Sequence, residues 1–505
     1  MPHQAVGSGP MAIHASLGQN ITFLKEIFAS CDDILFTPIV IGNRAGCLVF
    51  LSDMVDGRAV FDIKQSLSDC SNNLDHMSIF QDHFPFIPTD KANDLQTVVS
   101  KILSGNLILF IDQIDEAMVF HIEKSRGRRV TEASIEPVVR GPKEGFVEGL
   151  QTNLQLIRKR IKTPELKVER MTIGEKTKTE INVLYLKGTA SDAIVEEVRQ
   201  RLSRIEIDGI LDSHYLESMI KDSPWSPFPT LLSTERPDSV SGHLLDGKVA
   251  ILTDGSPSAL IAPVTFVEFL HSAEDYYESS LMATITRWVR FLGLFVALIL
   301  PAYYVGLTTF HQDLLQTPLL IRLAANREGL PYSVLLEGIF MFLTFEFIRE
   351  AGIRMPKVIG GPVVTIIVLA IMTLIAVNAG LIGPLMSVVV AVSAMVTYIL
   401  PNYAFHQIIR LCTIPLMILA GMFGFMGILV GLMFGLTHLL NLRSFGVPYF
   451  SPVSPARKEG WKDVFIRAPW WAIHTRVPGL DVQNFVRAGA GNRPKPPRSG
   501  GTNDK

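Results

Sequence analysis

Two carboxylates and two guanidinium groups lie in or directly behind a short apolar stretch, residues 332–347. Glu337 and Glu346 lie inside this stretch, and Arg349 and Arg354 follow it. An ionisable group is costly at membrane depth, so such groups commonly line an ion pathway or pair with a basic partner helix. A helix at the membrane surface, where its acids reach water, would show the same pattern. The sequence leaves these two interpretations open.

The residues that follow this stretch carry almost no charge. No Asp, Glu, Lys or Arg occurs between residues 358 and 409, and none occurs between Arg410 and Arg443. A helix needs about 20 apolar residues to cross the hydrocarbon core of a bilayer. A charge at the centre of that core costs about 2.5–3.5 kcal/mol on insertion scales. The sequence therefore predicts a membrane domain over residues 271–440.

About four spans are predicted in this domain, at residues 288–307, 363–381, 385–400 and 414–440. Basic residues flank both ends of the domain, with Arg287 and Arg290 at its start and Arg443 after its end. Such residues favour the cytosolic side of a membrane. Two ends on one side require an even number of spans, so we predict that residues 332–347 form a short re-entrant or interfacial helix.

The span at residues 363–381 is the candidate pore helix. It is apolar, but its weakly polar side chains could line a narrow pore that closes by dewetting. Small side chains also let helices pack closely, so plain helix packing is the alternative. The candidate pore or gate residues are Thr365, Leu369, Thr373, Val377 and Asn378.

The chain before residue 271 has a different pattern. Apolar runs of strand length alternate with helix-period segments, which predicts two similar α/β units at residues 25–125 and 145–270. The predicted fold class is an α+β cytosolic region of two similar α/β units, followed by an α-helical multi-span membrane domain. The remaining segments are predicted as a disordered N-terminus (1–24), a basic linker (126–144) and a cytosolic tail rich in Pro and Arg (441–505).

The basic segment between the two units could bind phosphate groups, or it could be a charged linker that faces water. Its basic residues are Lys124, Arg126, Arg128, Arg129, Arg140 and Lys143. The amphipathic segment that follows, 145–162, could cover the sheet of its own unit or dock on a neighbouring subunit. The candidate subunit contacts are Arg140, Glu144 and Phe146.

Signatures of catalysis do not occur in the sequence. It contains no GxxxxGK[ST], GxSxG or HExxH motif, so we expect neither an ATP-driven pump nor an enzyme. The four cysteines show no CxxC spacing and no accompanying His pattern, so we expect reduced thiols, no metal site and no cofactor. A formal net charge of −2 does not favour a nucleic-acid partner.

A series of motifs resembles the A-subunit family of spore germination proteins, which comprises the GerA-type receptors and the stage V sporulation AF-like proteins. The matching runs occur in order over residues 25–455, and the most specific are VRGPKEGF and RSFGVPY. Further runs are FIDQIDEA, IDGILDSHYLE, SPFPTLLSTERPD and LPAYYVGLTTFHQ. The chain departs from the family pattern at Ala133, at Gln316 and at residues 373–377, which read TLIAV. The last departure bears on ion selectivity and gating rather than on the fold.

The resemblance implies a nutrient-responsive complex in the inner membrane of a dormant spore, with the N-terminal region in the cytosol. It implies that copies of this chain form a ligand-gated ion channel, as a pentamer. A transporter-like B subunit, which binds the nutrient, and a lipoprotein C subunit would complete the receptor. A non-conducting membrane scaffold for these partners is the alternative function. A secondary transporter is disfavoured, because so few spans leave no room for internal repeats.

Overall fold

The computed structural model of the chain describes residues 11–68, 87–123, 132–133, 136–354, 361–457, 460–476, 479, 482–489 and 491–494; for 361–366 it describes the backbone. An N-terminal α/β region with antiparallel sheets is followed by a helical C-terminal region. This part of the predicted fold class is confirmed.

The first unit is a five-stranded antiparallel sheet in the order β1-β2-β4-β5-β3. Its core lies on both faces of the central strands, where Leu107–Ile111 is buried throughout. Asp94 begins one helix by accepting a hydrogen bond from the backbone N–H of Thr97 at 2.7 Å. The elements are α1 (Leu17–Ile27), β1 (Ile34–Ile41), β2 (Arg44–Leu51), α2 (Gly57–Ser68), β3 (Thr89–Ala92), α3 (Leu95–Leu103), β4 (Leu107–Ile111) and β5 (Ala117–Phe120).

The second unit has a sheet of the same plan, in the order β6-β7-β9-β10-β8. Gly105 and Gly247 precede β4 and β9, and both have left-handed backbones, with φ of 85° and 91°. Glycine suits this turn in both units because it lacks a Cβ. The elements are α4 (Leu150–Arg160), β6 (Leu166–Ile173), β7 (Thr179–Leu186), α5 (Asp192–Ser203), α6 (Ser213–Ile220), β8 (Leu232–Thr234), α7 (Pro237–Leu245), β9 (Val249–Thr253) and β10 (Ala259–Ala262).

The two units are joined by a buried ion pair. Arg158 on α4 donates through Nε and Nη2 to the carboxylate of Asp33, at 2.8 and 2.9 Å. The side chains of both residues are at most 2% exposed. A buried bidentate pair is geometrically strict, so it fixes the orientation of one unit against the other.

Two expectations for the N-terminal region are wrong. The N-terminus is ordered from Met11, because Ile13 is buried and the backbone N–H of Leu95 donates to the carbonyl of Met11. Residues 1–10 lie outside the described residues. The helix expected over residues 145–162 begins only at Leu150, since Asn153 hydrogen-bonds both backbone groups of Val147 and holds the preceding segment extended.

Among the described residues, the helical region contains six long helices that alternate in direction. We call the end that packs against the second unit the near end, and the opposite end the far end. At the near end, the ring of Phe405 contacts those of Phe266 and Phe269 at centroid distances of 5.3 and 5.2 Å. The helices are α8 (Ser280–Thr309), α10 (Val334–Arg354), α11 (Gly361–Asn378), α12 (Pro384–Thr397), α13 (Tyr403–Phe423) and α14 (Phe425–Asn441), with the shorter α9 (Thr317–Arg327) at the far end.

Two predicted helices differ from those in the structure. The helix expected to end at residue 347 continues to Arg354, which makes α10 about 30 Å long. The span predicted at 414–440 is instead divided between α13 and α14. Gly424 separates them with φ 61° and ψ −141°, a conformation that an L-residue adopts only under strain.

The helical region holds two described helices, α8 and α13, that are long and apolar enough to cross a membrane. The apolar segments described in α11, α12 and α14 are shorter than these two helices, with 10–17 residues each. The number of membrane crossings therefore stays a prediction.

The tail after α14 is folded where the structure describes it. Residues 443–448 form a two-stranded hairpin, and Tyr449 is fully buried. Arg467 is 2% exposed against the start of α8, where its backbone N–H donates to Thr284. The tail also contains the short helix α15 (Trp461–Val464). Most of the residues beyond 488 lie outside the described residues.

Replacement of Gly424 by alanine is expected to destabilise the protein by about 1–3 kcal/mol, because the residue would be strained. The new Cβ would also lie 2.6 Å from Cε1 of His311. Gly435→Ala on α14 is the matched control, since nothing lies within 4 Å of its added Cβ. Thermal unfolding in detergent checks this. Equal midpoints for the two variants would show that the turn is unstrained.

Candidate functional site

The membrane charges predicted from the sequence are paired within the chain. Arg410 on α13 donates through Nη1 to both carboxylate oxygens of Glu346, at 3.0 and 3.1 Å. Arg349 donates to the same carboxylate at 2.8 Å. This cluster explains why α10 continues past residue 347, since the charges neutralise one another. It also ties α10 to α13.

Glu337 is the more deeply buried of the two acids, at 1% exposed. Its Oε1 accepts the backbone N–H of Gly383 at 2.6 Å, and its Oε2 accepts from Arg327 at 3.0 Å. The carboxylate thus joins α9, α10 and the start of α12 at the far end. Arg354 lies apart from these clusters and makes an exposed pair with Glu350.

The candidate pore helix α11 packs against α10 and α12 and contains no charged residue. Leu369, Thr373 and Val377 lie half-buried on one stripe, while Asn378 lies on the exposed side. The exposed side otherwise consists of apolar residues, with Ile371 52% and Leu374 62% exposed. The side chain of Thr365 lies outside the described residues.

A second charged cluster lies where α8 leaves the second unit. Arg287 is fully buried and donates to Asp275 at 3.2 Å and to Oδ1 of Asp463 at 3.0 Å. It also donates to the main-chain carbonyl of Asp463. Arg290 donates to the same Asp275 carboxylate at 2.7 Å. These residues join α8, the turn before it and the tail, and we call them the junction cluster.

Aromatic rings complete the junction cluster. The hydroxyl of Tyr276 donates to Asp463 at 2.8 Å, and its ring lies 5.5 Å from the guanidinium carbons of both Arg287 and Arg467. Cation–π contacts of this kind strengthen when they are shielded from water. Burial raises the pKa of the Tyr276 hydroxyl well above 10, and the nearby Asp463 carboxylate adds to this rise. The phenol therefore stays a donor.

A cavity of about 910 Å³ adjoins the junction cluster, between the second unit, the near ends of the helices and the tail. Its lining mixes charged and aromatic side chains, and Lys248 forms an ion pair with Glu268 in its wall. Further lining residues are Arg236, His243, His271, Arg290, Tyr277 and Asp463.

The region around this cavity is expected to lose stability as the pH falls below 6.5. Burial, with the positive charge of Arg287 next in size, lowers the pKa of His271 well below its usual value of 6.5. The unfolded chain takes up a proton near that pH while the folded chain resists it, so acid favours unfolding. His271→Gln, which can keep a hydrogen bond to the carbonyl of Val464, should reduce the loss of thermal midpoint between pH 7.5 and 5.5. An unchanged loss would contradict this assignment.

The candidate subunit contacts are distributed over different environments. The backbone N–H of Arg140 donates to Glu274 at 3.1 Å, and Glu144 pairs with Arg160 at 2.7 Å. Phe146 is 4% exposed within the core of its own unit, so its ring is not on the surface in this structure. Of the basic segment, Arg140 and Lys143 are described, while Lys124, Arg126, Arg128 and Arg129 lie outside the described residues.

A family model described as Bacillus/Clostridium GerA spore germination protein matches residues 22–478. The chain belongs to this family. Spore germination protein KA of Bacillus subtilis (strain 168) is 38% identical over 98% of this chain and 92% of its own length. The uncharacterized membrane protein YfkQ of the same organism is 37% identical over 95% and 94%.

A solved structure is also similar to this GerA-family chain. It is the crystal structure of the N-terminal domain of the A subunit of the Bacillus megaterium spore germinant receptor GerK3. It shares 34% identity and covers 51% of this chain and 98% of its own, with a TM-score of 0.41.

Sequence reasoning on this GerA-family chain missed several functional candidates. Arg410 interrupts two uncharged stretches, which was a usable signal for a membrane ion pair. Arg287 and Arg290 were interpreted as flanking charges that mark the cytosolic side, whereas both are buried and paired with Asp275. Asp463 lies too far along the chain for its pairing to be predicted from spacing.

Metal binding finds no support in the part of the chain that the structure describes, where no group of His, Cys, Asp or Glu could hold an ion. Cys31, Cys47 and Cys412 are free thiols, and Cys70 lies outside the described residues. Burial raises the pKa of Cys47 to about 11, so this thiol is protonated and unreactive near neutral pH.

Proposed function

We propose that this chain is the A subunit of a spore germinant receptor and not an enzyme. In the proposal, copies of the chain assemble in the spore inner membrane, five being the expected number, and form a nutrient-gated ion channel. A transporter-like B subunit and a lipoprotein C subunit are the proposed partners, with the N-terminal region in the cytosol. Family membership supports the role in germination, and the properties of α11 support the channel.

The observation that carries the channel proposal is the uncovered face of α11. Its exposed side presents Ile367, Ile371, Leu374 and Asn378 at helical spacing. An apolar face on an outer helix can contact lipid or a second copy of the chain. If α11 faces the axis of an oligomer, its apolar rings form a constriction that excludes water until the helices separate.

The ion pairs of α10 are compatible with such a gate, because they hold α10 in place behind α11. Glu346 and Glu337 are both held by arginines of the same chain, so α10 is anchored at two levels. A rigid α10 behind α11 would transmit movement of the near end to the gate. The proposal therefore assigns the carboxylates to anchoring rather than to a free ring of charge in the pore.

The alternating direction of the six described helices supports the proposed topology, in which the N-terminal region and the tail lie on the same side of the membrane. Ser393 on α12 hydrogen-bonds the carbonyl of Ala297 on α8, while Gly306 lies beside Gly424 at the far end. An even number of crossings returns the chain to the side of the second unit, where the tail packs. If all six helices cross, the soluble region and the tail share the cytosolic side.

The scaffold function is the second candidate, and one observation favours it. Leu369, Thr373 and Val377 lie on the stripe that α11 turns toward the other helices, so these predicted pore residues serve packing in a single chain. In a scaffold, the exposed face of α11 would contact lipid or another subunit without enclosing a pore.

Cysteine cross-linking tests the oligomer. Asn378→Cys places a thiol on the exposed side of α11, and membranes containing the full chain would be treated with an oxidant and a short bifunctional reagent. Each thiol forms one covalent link, so the expected result is a cross-linked dimer in high yield, which would show that α11 helices of neighbouring copies lie side by side. Leu292→Cys on α8 and the unmodified chain, with its native cysteines, are the controls. Cross-linking no stronger at position 378 than at 292 would contradict a pore lined by α11.

A further inference from the structure

The loop at residues 223–229 presents one aromatic ring to the outside of the molecule. Trp225 is 96% exposed, although tryptophan is among the most buried residues on average. The loop is stiff, since its sequence SPWSPFP contains three prolines. The backbone N–H of Ser226 donates to the carbonyl of Ser223, and that of Phe228 donates to the Ser226 hydroxyl.

This loop is fixed to the near ends of the long helices. The hydroxyl of Ser226 lies 2.9 Å from Nε2 of His438, which is one turn before the end of α14. The ring of Phe228 lies between those of His438 and Phe405, at centroid distances of 5.9 and 6.5 Å. The position of Trp225 along the helix axes is therefore set by α13 and α14.

At this level the helices still present apolar surface. Leu436 and Leu440 on α14 are 47% and 44% exposed, and they lie on either side of His438 in the chain. If α14 contacts lipid, its lipid-facing surface thus continues to the level of the loop. Tryptophan favours the boundary between headgroups and acyl chains, because its ring is apolar and its indole N–H needs a polar partner.

We propose that Trp225 anchors the second unit to the lipid bilayer, with its indole ring in the headgroup region beside α14. The anchor would fix the distance of the second unit from the membrane and so keep the junction cluster at a constant depth. The proposal rests on the placement of α13 and α14 in the membrane, but it does not depend on ion conduction.

Fluorine NMR of the full chain in lipid nanodiscs tests this anchor. The protein would contain fluorotryptophan, and Trp225→Phe and Trp288→Phe would assign two resonances by their loss. Trp288 lies 56% exposed on α8 and reports whether the helices are inserted. We expect lipids with a nitroxide near the headgroup to broaden both resonances, and a water-soluble gadolinium chelate to broaden that of Trp225 less than the lipid nitroxide does.

Three other results would overturn the anchor. Stronger broadening of the Trp225 resonance by the soluble chelate than by the lipid nitroxide would place the ring in water. Broadening by neither probe, while Trp288 responds to the lipid nitroxide, would show that protein covers Trp225. A Trp288 resonance that also ignores the lipid nitroxide would mean that the helices are not inserted, and the membrane placement itself would fail.

Discussion

Replacement of Arg287 by leucine is expected to lower the free energy of unfolding of the helical region by about 3–5 kcal/mol. Removal of one partner from a buried ion pair leaves the other charges uncompensated. Asp275 and Asp463 would lose the donors that the guanidinium now supplies, while Arg290 would still pair with Asp275. The tail should be held less firmly to α8, because the bonds from Arg287 to Asp463 are lost while those of Arg467 to Ser280 and Thr284 remain. Thermal unfolding in detergent and limited proteolysis of the tail would measure both effects.

Arg443→Leu is the matched control, because it makes the same chemical change at an exposed position in the same tail. Exposed substitutions usually change stability by no more than about 0.5 kcal/mol. If Arg287→Leu were no more sensitive to protease than Arg443→Leu, the junction cluster would not hold the tail to α8.

Replacement of Leu374 by asparagine is expected to open the proposed gate without nutrient. A polar side chain lowers the cost of wetting an apolar constriction. We expect basal cation flux to rise on the order of ten-fold, since a barrier lower by about 1.4 kcal/mol changes a rate by that factor. The measurement is ion release from vesicles that contain the complete receptor but no germinant.

Leu292→Asn on α8 controls for membrane damage by the same substitution. Its side chain is 64% exposed, against 62% for Leu374, so the two variants place equal polarity in similar surroundings. An equal rise in flux from both variants would indicate a general leak. Unaltered flux in Leu374→Asn, with normal assembly, would remove the exposed face of α11 from the ion pathway.

Much of the N-terminal fold could be predicted from local sequence patterns. Strands β1, β4, β6 and β9 coincide with strand-length apolar patterns in the sequence that end at clear turns. The strands that were missed, β3 and β8, lie at sheet edges and have only four and three residues, too few for a clear strand pattern. The recurring order of these patterns predicted two units of similar plan, and Gly105 and Gly247 take matching positions before β4 and β9.

Long-range pairing could not be predicted from the sequence. Glu346 was selected because it is a charge in an apolar stretch, but its partner Arg410 lies 64 residues further along the chain. Asp463 joins Arg287 across 176 residues. Exposure within α11 also needed the structure, because an apolar helix with a weak pattern does not show which face is covered. The sequence therefore identified the candidate helix, and the structure showed which of its faces is free.

The most direct test of the channel is cation flux from vesicles that contain this chain, measured with and without the B and C subunits. The account predicts nutrient-dependent release of potassium or sodium in the complete receptor, and it predicts that Leu374→Asn shifts this release. An intact, nutrient-binding assembly that releases no cations under any condition would contradict the channel, and this chain would then be a scaffold.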